Sequence, residues 1–331
     1  RSMSPLIDSG PQYAKQYLVG GTDYTGPYSG KELDSIETPD AKTIIFHLKA
    51  SHGDFPYTVS LPTFAPVPKA KDTKVNYDNH PFSSGPYKID TYVRGKSMTL
   101  SRNTNWGQDT VRKAFPDTIK VTMGLDANVI DQRLITSAGA DANGIQLDTA
   151  IQSANVAAVR GRPDVKARSI SGPTGFERYI WMNTTKGPLK NVKVRQALEW
   201  GINKTDQQTA RGGPDAAGDI GTTILVPTVK GHKDFSAYAG PAGDPAKAKQ
   251  MLASAGFPNG MTLKFLYRPA SQNSSKGFAT VQQDLKAVGI NIVGVPSPNA
   301  DFYTKYLQVP SVAKRGVWDL SLAGWGADWY G

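Results

Sequence analysis

The residues best suited to chemistry stand together in the last stretch of the chain, Asp319-Leu320-Ser321-Leu322-Ala323-Gly324-Trp325-Gly326-Ala327-Asp328-Trp329-Tyr330-Gly331. The apolar run from Leu320 to Ala323 reads as a strand, and the Gly-Trp-Gly-Ala-Asp-Trp-Tyr after it reads as a turn. Gly324 and Gly326 let the backbone bend and approach a ligand closely. Trp325, Trp329 and Tyr330 offer flat apolar walls with polar edges, and Asp328 sits among them. That combination suits a cationic group held beside an apolar one. A charge-assisted hydrogen bond to Asp328 would be stronger in a closed cleft than in water. Aspartate also caps turns through its short side chain, and a lone Trp after a strand is usually a core residue. From the residues alone, both readings stay open for Asp328 and Trp325.

Other chemistries find little support. The four histidines, His47, His52, His80 and His232, form no His-x-x-x-His or His-Glu-x-x-His pair, and there is no cysteine. No metal site is expected. Gly-x-Ser-x-Gly and the P-loop pattern are absent, so neither an acyl-transfer elbow nor a phosphate cradle is expected. The reading is a chain without a cofactor that is not an enzyme. The net charge of +10 is scattered: no run of five basic residues and no basic stripe interleaved with aromatics occurs, so no nucleic-acid partner is expected. No apolar run approaches the roughly 20 residues of a membrane-spanning helix.

The elements that would position these residues change character along the chain. Residues 1–118 are rich in Pro, Gly and Tyr and read as short strands joined by turns. Thr43 to Leu48 is a β-rich run, and Tyr87 to Val93 with Ser97 to Leu100 reads as a hairpin about Arg94-Gly95-Lys96. Residues 61–68, with Phe64, are too proline-rich for a helix or central strand and read as a stiff extended connector. From about residue 119, strands and helices alternate. The spacing predicts a strand over Thr118 to Met123, a helix capped by Asp126 to about Ser137, and a helix from Asp148 or Thr149 to about Val159. A strand over Arg178 to Asn183 and a helix over 191–203 follow. Asp244 supplies an N-cap and Pro245 a first helical residue, with Gly256 at the end. Met261 to Tyr267, Ser274 to Val288 and Ile290 to Val295 read as strand, helix and strand. A helix from Asp301 to about Lys314 leads into the final strand. Arg195, a tempting anion clamp, falls on the amphipathic helix 191–203 and reads as structural.

Four segments, in order, carry a resemblance. They are Pro81-Phe82-Ser83-Ser84-Gly85-Pro86-Tyr87-Lys88 with His80 before it; Met182-Asn183-Thr184 with Gly187-Pro188-Leu189 and Val192-Lys193-Val194-Arg195-Gln196-Ala197-Leu198; Asp244-Pro245-Ala246-Lys247-Ala248 with Leu252, Ala255 and Gly256; and Gly324-Trp325-Gly326-Ala327-Asp328. Together they resemble the oligopeptide/dipeptide-type (family 5) solute-binding proteins of bacterial ABC transporters. The resemblance implies an α/β, periplasmic-binding-protein-like fold of class II type with two lobes. Residues 1–118 would be part of a first, β-rich lobe, only partly present, and 119–331 a second α/β lobe ending within the cleft loop.

It further implies an extracytoplasmic protein, in the periplasm or lipid-anchored on the outer face of the membrane. Such a protein captures peptides or a similar small solute by hinge closure and delivers them to an ABC permease, as a monomer. Asp328 would hold the peptide ammonium. Trp325, Gly324, Gly326 and Trp329 would line the cleft, Gly324 and Gly326 presenting main-chain groups to an extended peptide. Phe64, Gly175 and Phe176 would also face it. Two rivals stay open. One is a hydrolase using Asp328 with a second carboxylate; the other is a basic module that binds the cell envelope.

Overall fold

A computed structural model describes residues 1–7, 12–107, 111–146, 150–235, 237–238 and 240–329. Two units emerge, one of Arg1–Leu125 and one that starts at Asp126.

The first unit holds α1 (Tyr13–Tyr17), β1 (Ile36–Asp40), β2 (Thr43–Phe46), α2 (Phe55–Val59), β3 (Tyr87–Val93), β4 (Ser97–Arg102) and β5 (Thr118–Thr122). β1 and β2 form an antiparallel hairpin. β3 and β4 form the second, turning at Gly95, whose φ of 72° is open to glycine. β5 extends that sheet antiparallel to β4, with Met98 opposite Val121 and Leu100 opposite Ile119. The strand that the change of pattern placed at the head of the second unit therefore belongs to the first. Matching apolar residues on one face of the pair decide its partner. A small cluster of Met3, Ala14 and Leu18 packs with Phe46, Phe55 and Phe64. The proline-rich stretch is not wholly extended: Pro62–Phe64 makes one 3₁₀ turn, with Pro62 at its first position.

The second unit begins as its sequence predicts. The Asp126 carboxylate accepts from Asn128 N and Val129 N at the head of α3 (Ala127–Thr136), and Ser137 closes the helix in the left-handed region at φ 51°. Asp148 and Thr149, expected to open the next helix, lie outside the described residues; residues 150–152 are not helical, a 3₁₀ turn covers Ser153–Asn155, and α4 runs Val156–Gly161, so the helix starts later than expected. There follow α5 (Pro163–Ala167), β6 (Phe176–Met182), α6 (Val192–Gly201), α7 (Lys204–Ala210), α8 (Pro214–Ala217) and α9 (Pro245–Ser254). Next come β7 (Met261–Tyr267), α10 (Gln272–Ala287), β8 (Ile290–Pro296), α11 (Pro310–Arg315) and β9 (Leu320–Gly326). Asp244 accepts from Lys247 N and Pro245 takes the first position of α9. The expected helix from Asp301 is broken: a wide π-type turn over Phe302–Leu307 gives way to α11 at Pro310. Proline has no N–H to continue the ladder.

β7, α10 and β8 form a parallel β-α-β unit, in register from Met261 opposite Ile290 to Tyr267 opposite Pro296. The sheet order is β6-β9-β7-β8. One face carries Leu263, Phe265, Ile292 and Leu320 against α6, α9 and α10, through Leu198, Leu252, Val281 and Leu285. The other face carries Leu266 and Ala323 against Phe302, Leu307, Val312 and Trp318. Burial on both faces explains the near-continuous apolar reading of β7 and β9.

Candidate functional site

β9 is central in the sheet but not paired equally on its two sides. It runs antiparallel to β6 along its whole length, from Met182 opposite Leu320 to Phe176 opposite Gly326. To β7 it is joined only at Leu320 and Ser321, where Ser321 Oγ donates to the Leu266 carbonyl at 3.0 Å. From Leu322 onward, its β7-side edge carries no strand among the described residues. A strand edge without a partner strand is one with which an extended ligand can pair.

Gly324 and Gly326 lie within this strand, with extended backbone, and not at a bend as their types suggest. Their function is to make room. A Cβ on Gly324 would overlap the Phe176 ring and lie 2.6 Å from the Glu177 carbonyl oxygen; one on Gly326 would lie 3.2 Å from Phe176 Cδ2. Phe176 thus rests across the two glycines, and the Arg178 guanidinium stacks 5.0 Å from its ring centre. Ala327 N donates to the Gly175 carbonyl at 3.0 Å, so the strand pair closes at Gly175. Trp325 and Glu177 form the cross-strand pair on the opposite face. Phe176 and Trp325 remain 42% and 41% exposed, which puts apolar aromatic surface on both faces of the strand end.

The structure therefore gathers Gly175, Phe176, Gly324, Trp325 and Gly326, with exposed Asp328 and half-buried Trp329 directly after them in the chain. Tyr330 lies outside the described residues. Phe64 belongs to the first unit, where it packs edge-on to Phe46 and Phe55 at 6.4 and 6.2 Å between ring centres. Arg195 is structural, but through carbonyls rather than a carboxylate: its Nη1 donates to Leu189 O and Lys190 O at 2.7 and 3.1 Å.

Three arginines escaped the sequence reading. Arg178 is on β6, Arg211 ends α7 and Arg268 follows β7, so nothing in their spacing links them. α7, α10 and β9 meet at Gly277. Gln207 of α7 donates to its carbonyl at 3.2 Å, and a Cβ on Gly277 would meet Leu322 of β9 at 2.5 Å. Arg211 lies one helical turn beyond Gln207, and Arg178 faces Gly324, two residues after Leu322. Arg268 N donates to Ser274 Oγ, one turn before Gly277, at 3.0 Å. Burial, together with the charges of Arg178 and Arg268, pulls the Arg211 guanidinium down to about 10. Burial also lowers Arg178, and the Arg268 charge adds to it. The Arg268 guanidinium stacks on Phe302 at 4.7 Å. Across the sheet, burial raises the Glu177 carboxyl.

Comparison with known proteins identifies the family of the chain. The family model for bacterial extracellular solute-binding proteins, family 5 Middle, matches residues 3–331. The chain is 27% identical over 303 residues to the glutathione-binding protein GsiB of Pectobacterium atrosepticum, which covers 90% of this chain and 55% of that protein. It is 25% identical over 337 residues to di/tripeptide-binding protein 1 of Pseudomonas aeruginosa, covering 98% of this chain and 58% of the relative. Among solved structures, the clavulanic acid biosynthesis oligopeptide binding protein 2 aligns with a TM-score of 0.82 at 30% identity, over 99% of this chain and 60% of that one. The chain thus spans between 55% and 60% of the lengths of these three proteins. It belongs to the family 5 bacterial extracellular solute-binding proteins, and the periplasmic-binding-protein fold expected from the four sequence segments is the fold found.

Proposed function

Taking that membership as the premise, we propose that the protein captures a peptide or a similar small solute outside the cytoplasm and passes it to the permease of an ABC importer. The ligand is held at the free end of β9. An extended ligand pairs with the strand edge beyond Ser321, Trp325 and Phe176 supply apolar walls, and Gly324 and Gly326 leave the room in which the Phe176 ring lies. Asp328, with Trp329 beside it, receives the ammonium of a free N-terminus. The chemistry is binding without covalent change.

The single observation that supports this reading most is the one-sided pairing of β9. A strand filled on its β6 side and, among the described residues, unfilled beyond Ser321 on its β7 side offers hydrogen bonds to a chain-like ligand without regard to sequence. The names of the relatives, which specify glutathione and di/tripeptides, point to the same ligand class.

Calorimetry with short peptides and their N-acetylated forms tests the proposal. The free peptide should bind at least about tenfold more tightly, because losing one partner of a desolvated charge pair costs about 2–5 kcal/mol. Asp328→Asn should abolish the difference with little change in melting temperature. Equal affinity for both forms would remove Asp328 from this role. A large loss of stability with unchanged affinity would make Asp328 a structural cap. Cleavage of the peptide on incubation would favour a hydrolase.

A further inference from the structure

On the sheet face that carries Trp325, the neighbouring side chain of β6 is a carboxylate. Glu177 stands directly opposite Trp325 in the antiparallel register, and Tyr179 stands opposite Ala323. Paired residues of an antiparallel sheet share a face, with Cβ atoms about 5 Å apart. Residues two apart on one strand share that face as well. Glu177 therefore has the Trp325 indole beside it on β9 and the Tyr179 ring beside it on β6. Tyr179 is itself held, stacked on Trp181 at 5.4 Å between ring centres and 12° between planes. Trp325 is largely open, and Glu177 and Tyr179 are half-buried, so a ligand can reach this face at the strand end.

The carboxylate also has a fixed place. It lies over Gly221, where a Cβ would come within 3.0 Å of Glu177 Oε2 and 3.3 Å of Oε1. Lys204, the cation whose charge reaches Glu177, is itself 3.7 Å from Glu199 Oε2. The other face of the same strand end has the reverse sign, because there Phe176 carries the Arg178 guanidinium.

A ligand strand on the open edge of β9 sends alternate side chains to the two faces. That strand lies two strand spacings from β6, about 9–10 Å. A short side chain on the Trp325 face ends at the indole. A lysine or arginine lays its apolar stem along the indole and carries its charge on to Glu177, where ring faces and carboxylate both favour a cation.

We propose that Glu177 is a specificity-determining residue that receives a basic side chain of the bound peptide, the stem of which crosses Trp325. This rests on the proposed capture of a peptide along β9. It narrows the ligand to peptides with a lysine or arginine side chain in addition to the ammonium that Asp328 receives.

Calorimetry tests it by placing lysine, or norleucine, at each position of tri-alanine in turn. Norleucine keeps the stem and lacks the ammonium. At one position the lysine peptide should bind about tenfold more tightly than its norleucine counterpart. Glu177→Gln should remove that advantage and leave the norleucine affinities and the melting temperature unchanged. Equal affinities at every position would overturn the inference while leaving peptide capture standing. A lysine advantage that survives Glu177→Gln would overturn the role given to Glu177. Binding of none of these peptides would overturn both readings. The placement is also read on the unaltered protein: the ε-methylene protons of the bound lysine should show Overhauser contacts to the Trp325 indole. Their absence would overturn the inference even if Glu177→Gln failed to fold.

Discussion

The two units bury their strands in different ways. In the second, Leu263, Phe265, Leu266 and Leu320 are fully buried, because helices cover one face of the sheet and the π-type turn with α11 covers the other. In the first, β1 and β2 are almost wholly exposed, with Ile44 at 54%, and β3 ends in Val93 at 50%. Its small core is built largely from rings that meet edge-on, Phe46, Phe55 and Phe64. Apolar area removed from water stabilises by about 25 cal/mol per Å², so the second unit carries most of that stabilisation. A candidate site that must hold its geometry sits on the unit with the larger core, where strands rather than loops fix Gly324, Trp325 and Phe176.

The largest test of this contrast is a pair of core truncations. Phe265→Ala should destabilise by about 3–5 kcal/mol, as expected for a fully buried aromatic. Phe46→Ala, half-buried in the first unit, should cost about 1 kcal/mol. Denaturant titration followed by circular dichroism measures both. Equal losses would mean that the first unit is packed as tightly as the second.

A smaller contrast lies within β9 itself. Gly324→Ala places a methyl group inside the Phe176 ring and against backbone, and should cost about 1–3 kcal/mol. Gly326→Ala meets only the ring edge and the Gly175 carbonyl at ordinary to tight distances, and should cost less than about 1 kcal/mol. Thermal unfolding of the two variants settles their order. If Gly326→Ala were the worse, Phe176 would not rest where the structure places it.

Much of the second unit was legible in the sequence because its signals are local. The Asp126 cap, the Asp244-Pro245 start and the β7-α10-β8 alternation each declare themselves within a few residues. The break at Pro310 was equally local and should have been read, since proline cannot continue a helix. β5 was misassigned because a lone strand does not announce its partner; the pairing of Met98 and Leu100 with Val121 and Ile119 does so only in three dimensions. Gly324 and Gly326 read as a bend in the sequence, whereas in the strand they leave space for Phe176. Arg178, Arg211 and Arg268 did not stand out, because they come from β6, the residue after α7 and the residue after β7 and share no spacing.

The central claim is that solute binds at the open end of β9. The most direct measurement is a ¹⁵N-resolved titration of the Trp325 indole N–H with a short peptide bearing a free N-terminus. The account predicts a saturable shift of that resonance, with the amides of Gly324 and Gly326, at the concentrations where calorimetry reports binding, and its loss in Asp328→Asn. Calorimetric binding with the Trp325 resonance unmoved would contradict it.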